Sequence, residues 1–239
     1  MSDFVYVSGS VKMNIIVVVR TLNESKNIDR FCQSYSWADK ILIADGGSSD
    51  DTIYRAMKFD NTYAYTFRDK IWHTDKVFSN PRGKHINFLI DWAKREHADW
   101  IIFDDVDCVP TVDLQKWGRN ILEGCSMELC YAYRYYVKGE KEYYPDANKP
   151  GQSLWAWRNY SKVRADETDP TVFTMKIPSK MGMYLLPPYV LLHYFYPDEE
   201  TIQKKMEFYG ITGDAGGTPK HPDELFGRIE KLPEYARWS

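Results

Sequence analysis

Three carboxylates, Asp104, Asp105 and Asp107, directly follow the apolar run Trp100-Ile101-Ile102-Phe103. Acids this close repel one another unless a cation or a hydrogen-bonded ligand neutralises them. Hard cations such as Mg²⁺ and Mn²⁺ take oxygen ligands, and Mg²⁺ is commonly held by one or two carboxylates plus substrate phosphates. The cluster therefore predicts a metal–diphosphate site, with Asp104 as its structural member. Two more polar clusters stand at the ends of apolar runs: Arg20-Thr21-Leu22-Asn23-Glu24 after Ile15–Val19, and Asp45-Gly46-Gly47-Ser48 after Ile41–Ala44. Taken alone, Asp45 reads equally well as a turn residue, since Asp-Gly-Gly-Ser is good turn chemistry. Arg82, Lys84 and His85 form a basic cluster at a helix start, where backbone N–H groups favour phosphate; a solvated helix end is the equal alternative. His193, inside the apolar run Val190–Tyr196, reads on its own as a core histidine. Trp155-Ala156-Trp157-Arg158 offers aromatic faces that suit a sugar ring. Alternation places one tryptophan in the core and the other at a cleft.

The elements that must position these residues are legible from periodicity. Ile15–Val19, Ile41–Ala44 and Trp100–Phe103 are apolar at every position, the pattern of strands buried on both faces. Thr62–Thr66 reads as a further strand. Between them, Ile28, Phe31, Cys32 and Tyr35 share one helical face, as do Ile53, Ala56 and Met57 behind a cap at Ser49 or Asp50, and Ile86, Leu89, Ile90 and Ala93. Strands alternating with helices predict a parallel sheet, and in such a sheet ligands bind at the carboxyl ends of the strands. All three polar clusters then converge on one cleft. From Tyr131 to Tyr160 the chain is rich in aromatics and predicts mixed or antiparallel strands around a loop at Pro145–Gln152. Asp198 is placed to cap a helix carrying Ile202, Met206 and Tyr209, followed by a Gly- and Pro-rich loop at Gly213–Pro222.

The 239 residues hold 31 Lys plus Arg against 34 Asp plus Glu, a net charge of -3. Such a balance gives no overall basic field for nucleic acid or anionic membrane. No apolar run approaches the ~20 residues of a membrane span, and no signal peptide is expected at the N-terminus. The four cysteines, Cys32, Cys108, Cys125 and Cys130, form no CxxC pair, which suits a cytoplasmic protein. The length predicts one domain, read in three stretches: residues 14–110, residues 111–210, and 211–239 as a C-terminal loop and helix.

Two blocks in order, Ile16–Glu24 with Asn27-Ile28, then Trp37–Ile41 running into Asp45–Thr52, resemble the opening of family 2 glycosyltransferases of the GT-A fold. Asp99–Asp107 is similar to that family's strand ending in the DxD motif, and Leu192–Tyr196 is similar to its late His-Tyr segment. The resemblance implies an α/β, Rossmann-like fold. It also implies that Arg20, Thr21, Asn23, Glu24, Asp45, Gly46, Lys84, Asp104 and Asp105 hold a nucleotide diphosphate sugar, while Asp105, Asp107 and His193 hold Mn²⁺ or Mg²⁺. Two positions differ from the family: Ile86-Asn87 stands where Arg-Asn is usual, and Cys108-Val109-Pro110 replaces a common acid after the DxD.

The implied reaction moves a sugar to the hydroxyl of a glycan or glycoconjugate with inversion, and it needs a carboxylate to take the acceptor proton. Asp166, Glu167 and Asp169 are the candidates, with Trp155, Trp157 and Arg158 on the acceptor side. Two other classes remain open. A nucleotidyltransferase would favour a glycine-rich, basic loop after the first strand, whereas no glycine occurs from Asn14 to Ala44; a non-catalytic binding protein would keep the cleft alone. A dinucleotide oxidoreductase is disfavoured by the lack of GxGxxG.

Overall fold

The computed structural model describes residues 12–67, 81–145, 152–167, 175–178, 181–196, 198, 200, 203 and 228–237. Its elements are β1 (Ile15–Thr21), α1 (Ile28–Ser34), β2 (Lys40–Asp45), α2 (Thr52–Ala56), β3 (Thr62–Thr66), α3 (Pro81–Arg95), β4 (Trp100–Phe103), β5 (Cys108–Pro110) and α4 (Val112–Gly124). They continue as β6 (Leu129–Lys138), β7 (Glu142–Tyr143), β8 (Gln152–Arg158), β9 (Arg164–Ala165), β10 (Met175–Lys176), β11 (Met183–Tyr184), β12 (Val190–Tyr196) and β13 (Glu230–Lys231). Ile202, Met206, Tyr209 and the loop at Gly213–Pro222 lie outside the described residues.

The all-apolar runs are strands with helices on both faces. Ile15, Val17 and Val19 pack with Phe31 and Cys32 of α1, Ala56 of α2 and Leu114 and Leu122 of α4. Ile16 and Val18 point the other way, onto Ile86, Leu89, Ile90 and Ala93 of α3. A period of two in a strand buried on both sides needs an apolar residue at every position, as β1 shows.

The main sheet runs β13-β7-β6-β8-β4-β1-β2-β3. The run β4-β1-β2-β3 is parallel, while β8 is antiparallel to both β4 and β6. Two antiparallel steps leave β6 pointing the same way as β4, and β12 lies parallel to β6. The carboxyl ends of β1, β2, β3, β4, β6 and β12 thus share one edge. The expected α/β fold with a mixed sheet flanked by helices is the fold observed.

At the opposite edge, Asp39 ties three elements together. Its Oδ2 accepts the Ile15 N–H at 2.9 Å and an Arg119 Nη2 from α4 at 2.7 Å, while Oδ1 lies 2.7 Å from Lys12 Nζ. Burial raises the Asp39 pKa, but the Ile15 N–H, Lys12 and Arg119 outweigh it and hold the carboxyl below its ordinary value. A folded-state pKa below the unfolded one stabilises the fold above the unfolded pKa, and that contribution is lost as pH falls through the folded value. Asp39→Ala is therefore expected to cost about 2 kcal/mol at pH 7. The difference should shrink as urea unfolding is repeated below about pH 4, near the ordinary Asp value. A pH-independent difference would contradict the ion-pair account.

Candidate active site

The loop after β1 and the loop after β2 are laced together by the side chains that the sequence singles out. Asp45 is fully buried. Its carboxylate accepts hydrogen bonds from Thr21 Oγ1, Gly47 N and Ser48 N, each at 3.0 Å, and from Ser48 Oγ at 2.5 Å. A carboxylate has about four acceptor positions, so Asp45 builds the turn with all of them. Gly47 has φ +92°, a conformation that suits glycine, and the turn needs it there. Asn23 Oδ1 accepts Ser49 N at 2.8 Å, Asn23 N donates to Ser48 Oγ at 2.8 Å, and Glu24 N donates to Thr52 Oγ1 at 2.7 Å. Gly46 N reaches back to the Thr21 carbonyl at 2.9 Å. Arg20, half-buried, stands at the same edge beside them. Of the two readings that the sequence allows for Asp45, the turn role is the one these hydrogen bonds describe.

Beside this turn, Phe67 N donates to the Asp45 carbonyl at 2.8 Å, and the Phe67 ring stacks on His85 at 3.9 Å between centres and 19° between planes. His85 and the exposed Lys84 lie in the first turns of α3, which begin at the cleft edge because the helix runs back before β4. The flat Phe67–His85 pair, with Phe67 partly open to solvent and His85 buried, was not foreseen.

The acid cluster after β4 divides as the sequence suggests for Asp104 and Asp105. Asp104 is fully buried, accepting from Tyr35 Oη at 2.9 Å and from Arg134 Nη2 at 2.9 Å. Burial pushes its carboxyl up to about 6 even though Arg134 pulls it down. It is therefore a structural acid, not a nucleotide contact. Tyr35 Oη in turn accepts from Trp155 Nε1 at 3.2 Å. Asp105 is partly open to solvent and meets Arg134 Nη1 at 3.3 Å. Arg134, from β6, escaped the sequence reading: it is the cation that keeps Asp104 and Asp105 from repelling.

Asp107 Oδ1 lies 3.2 Å from His193 Nε2, and both side chains are largely buried. Register explains the meeting, since β12 pairs antiparallel with β5 and sets His193 opposite Cys108. Ligand atoms of Asp105, Cys108 and His193 lie within 4.8 Å of one another. Burial drives the Cys108 thiol up, and a soft sulfur donor suits a hard cation such as Mn²⁺ or Mg²⁺ poorly. Asp105 and His193 remain of that group, with Asp107 outside it but against His193, and carboxylate and imidazole donors of this kind suit Mn²⁺ or Mg²⁺.

Against α3, Asn87 Nδ2 donates to Glu167 Oε1 at 2.6 Å and to the Ala165 carbonyl at 3.0 Å. Asp166 Oδ2 pairs with Lys176 at 3.2 Å. A Cβ on Gly83 would stand 2.4 Å from the Asp166 carbonyl oxygen, so glycine lets this segment close on α3. Asp169 lies outside the described residues.

The acceptor-side expectation fails for three residues. Trp155 and Trp157 are both fully buried, one on each face of the sheet. A strand covered on both sides has no cleft face to offer. Arg158 pairs opposite Trp100, at the amino end of β4, stacks over its ring at 4.3 Å and donates to the Cys125 carbonyl at 2.9 Å. It therefore stands at the wrong edge of the sheet.

No family model matches the sequence, and no curated protein sequence matches it. Among solved structures the chain is similar to S. aureus TarS, with a TM-score of 0.53 and 14% identity, covering 83% of this chain and 38% of that one. It is also similar to TarS 1-349 in complex with UDP-GlcNAc, with a TM-score of 0.53, 14% identity, and coverage of 83% and 64%. The chain thus spans less than two thirds of the length of either structure. The likeness is one of fold: a mixed sheet flanked by helices. Among the described residues, no helix is long and apolar enough to cross a membrane.

Proposed function

We propose that the protein transfers a sugar from a nucleotide diphosphate sugar to an acceptor hydroxyl, with inversion, using Mn²⁺ or Mg²⁺ held by Asp105, Asp107 and His193. The observation that carries the reading is His193 at the carboxyl edge of the parallel strands, with a ligand atom of Asp105 within 4.8 Å of its own and Asp107 Oδ1 3.2 Å from its Nε2, on a fold like that of a structure holding UDP-GlcNAc. When bound, the cation would neutralise charge that builds on the departing diphosphate.

The chain's own residues set the rest. The stitched loops from Arg20 to Glu24 and from Asp45 to Thr52 present a rigid rim for the nucleoside. The Phe67–His85 stack offers a flat wall to a base, and Lys84 a charge to phosphate. Arg134 fixes Asp105 by one nitrogen while Asp104 anchors the other, so the first acid of the motif is oriented in advance. Glu167, held by Asn87, and Asp166 are the carboxylates we assign to take the acceptor proton.

The test is a thermal-shift screen of nucleoside diphosphates and their sugars, UDP and UDP-GlcNAc first, with Mn²⁺ or with EDTA. Ligand at 100 times its Kd adds about 2.7 kcal/mol, which for a protein of this size raises Tm by roughly 5–10 °C. The rise is expected only with metal. No shift with any nucleotide at millimolar concentration would overturn the proposal.

A further inference from the structure

Beside Asp107, on the α1 face of the same edge, lies a pocket of about 1070 Å³. Strand direction places it there. Because β6 and β12 run with β4, the turn after β6 and residue Tyr194 near the end of β12 stand at the edge that carries the DxD acids. Arg30 joins them from the first turn of α1, its guanidinium 3.7 Å from the centre of the Tyr194 ring. The Tyr194 N–H donates to the Asp107 carbonyl at 2.8 Å, so the pocket floor is bonded to the backbone of the acid cluster. The C-terminal segment closes the outer wall, where Leu232 N meets the Lys141 carbonyl at 2.8 Å.

The lining has a strong chemical bias. Arg30, Lys138, Lys141, Lys231 and Arg237 line it against three glutamates, Glu140, Glu142 and Glu234, an excess of two positive charges in a protein whose net charge is negative. Among the described residues, Arg30, Lys141, Lys231 and Arg237 form no ion pair. Arg30 instead donates to Asn27 Oδ1 at 3.0 Å and leaves its buried Nε without a hydrogen-bond partner, while Arg237 donates to the Glu234 carbonyl. Cations gathered round one pocket repel one another, and the glutamates of the wall do not neutralise these four. A bound oxyanion with several oxygens would turn that repulsion into attraction, with Arg30 giving a planar, partly desolvated fork.

We infer that this pocket binds the anionic part of the acceptor, a phosphate ester, and holds it next to the metal centre so that the acceptor hydroxyl meets the donor sugar. The assignment to the acceptor rests on the glycosyl-transfer reading; the anion site itself rests only on the pocket.

Glycerol 3-phosphate is the probe, with glycerol as the neutral control, titrated calorimetrically into the full chain in EDTA at low salt. Wild type is expected to bind glycerol 3-phosphate, not glycerol, with an affinity that falls as salt rises. Lys141→Glu/Lys231→Glu/Arg237→Glu, all at exposed positions, should bind it at least tenfold more weakly. Arg30→Gln provides a separate variant with the same expected direction should the triple variant misfold. No binding by wild type at about 10 mM, where a weak subsite of −2.7 kcal/mol would be half filled, would overturn the proposal. So would equal affinity in the triple variant and Arg30→Gln. A parallel titration of UDP with Mn²⁺ separates the two readings. If wild type ignores UDP but loses glycerol 3-phosphate binding on charge reversal, glycosyl transfer falls and the anion site stands.

Discussion

Arg134→Leu is expected to destabilise the protein by about 3–5 kcal/mol, the scale for breaking a buried ion pair from one side. The Arg134 side chain is 14% exposed and that of Asp104 is 0% exposed. Its fork serves Asp104 and Asp105 together, and Asp104 also closes a chain of hydrogen bonds through Tyr35 to Trp155 in the core. Leucine fills part of the volume but leaves Asp104 an unpaired carboxylate among apolar side chains, where charge is penalised. Adding Asp104→Asn removes that charge, so the double variant should recover much of the loss. Urea unfolding of the two single variants and the double variant checks this. A loss below about 1 kcal/mol in Arg134→Leu, the scale of a surface pair, would contradict it.

The second large effect is on binding. Asp107→Ala should weaken Mn²⁺-dependent UDP binding about 100-fold, the upper end of what loss of an orienting partner costs a metal site. It removes a proposed ligand and also the carboxylate that meets His193. His193→Gln should weaken the same binding at least tenfold, since it removes the imidazole while keeping a polar side chain of similar reach. Unfolding free energy should change by only about 1–2 kcal/mol in either variant, the scale of one hydrogen bond. The opposite pattern, with binding kept and stability lost, would make the pair a core contact and nothing more.

The buried strands were legible because parallel strands covered on both faces cannot alternate: β4 matches its expected span, and β1 and β2 extend theirs by only one or two residues at an end. Helix α4 was not foreseen, although Leu114, Ile121 and Leu122 carry a helical spacing behind Thr111. The acids at the strand ends were visible for the same reason, since a core would not choose them. What escaped depends on pairing between distant strands. Arg134 sits in an aromatic run, and nothing local says that β6 will lie beside the loop of Asp104, Asp105 and Asp107. Trp155, Trp157 and Arg158 were misplaced because alternation tells which residues share a face, not whether both faces are covered or which edge a residue reaches. Asp45 shows a different limit: Asp-Gly-Gly-Ser suits a turn and a ligand equally, and only its four hydrogen bonds decide where the carboxylate is spent.

Crystals of the protein grown with Mn²⁺ and UDP, with data collected at the manganese absorption edge, test the central claim most directly. The account expects one anomalous peak bounded by Asp105, Asp107 and His193, with the diphosphate of UDP against it and the base along the rim formed by the loops after β1 and β2. UDP bound at that rim with no manganese beside Asp105 and Asp107, or manganese bound elsewhere, would contradict it.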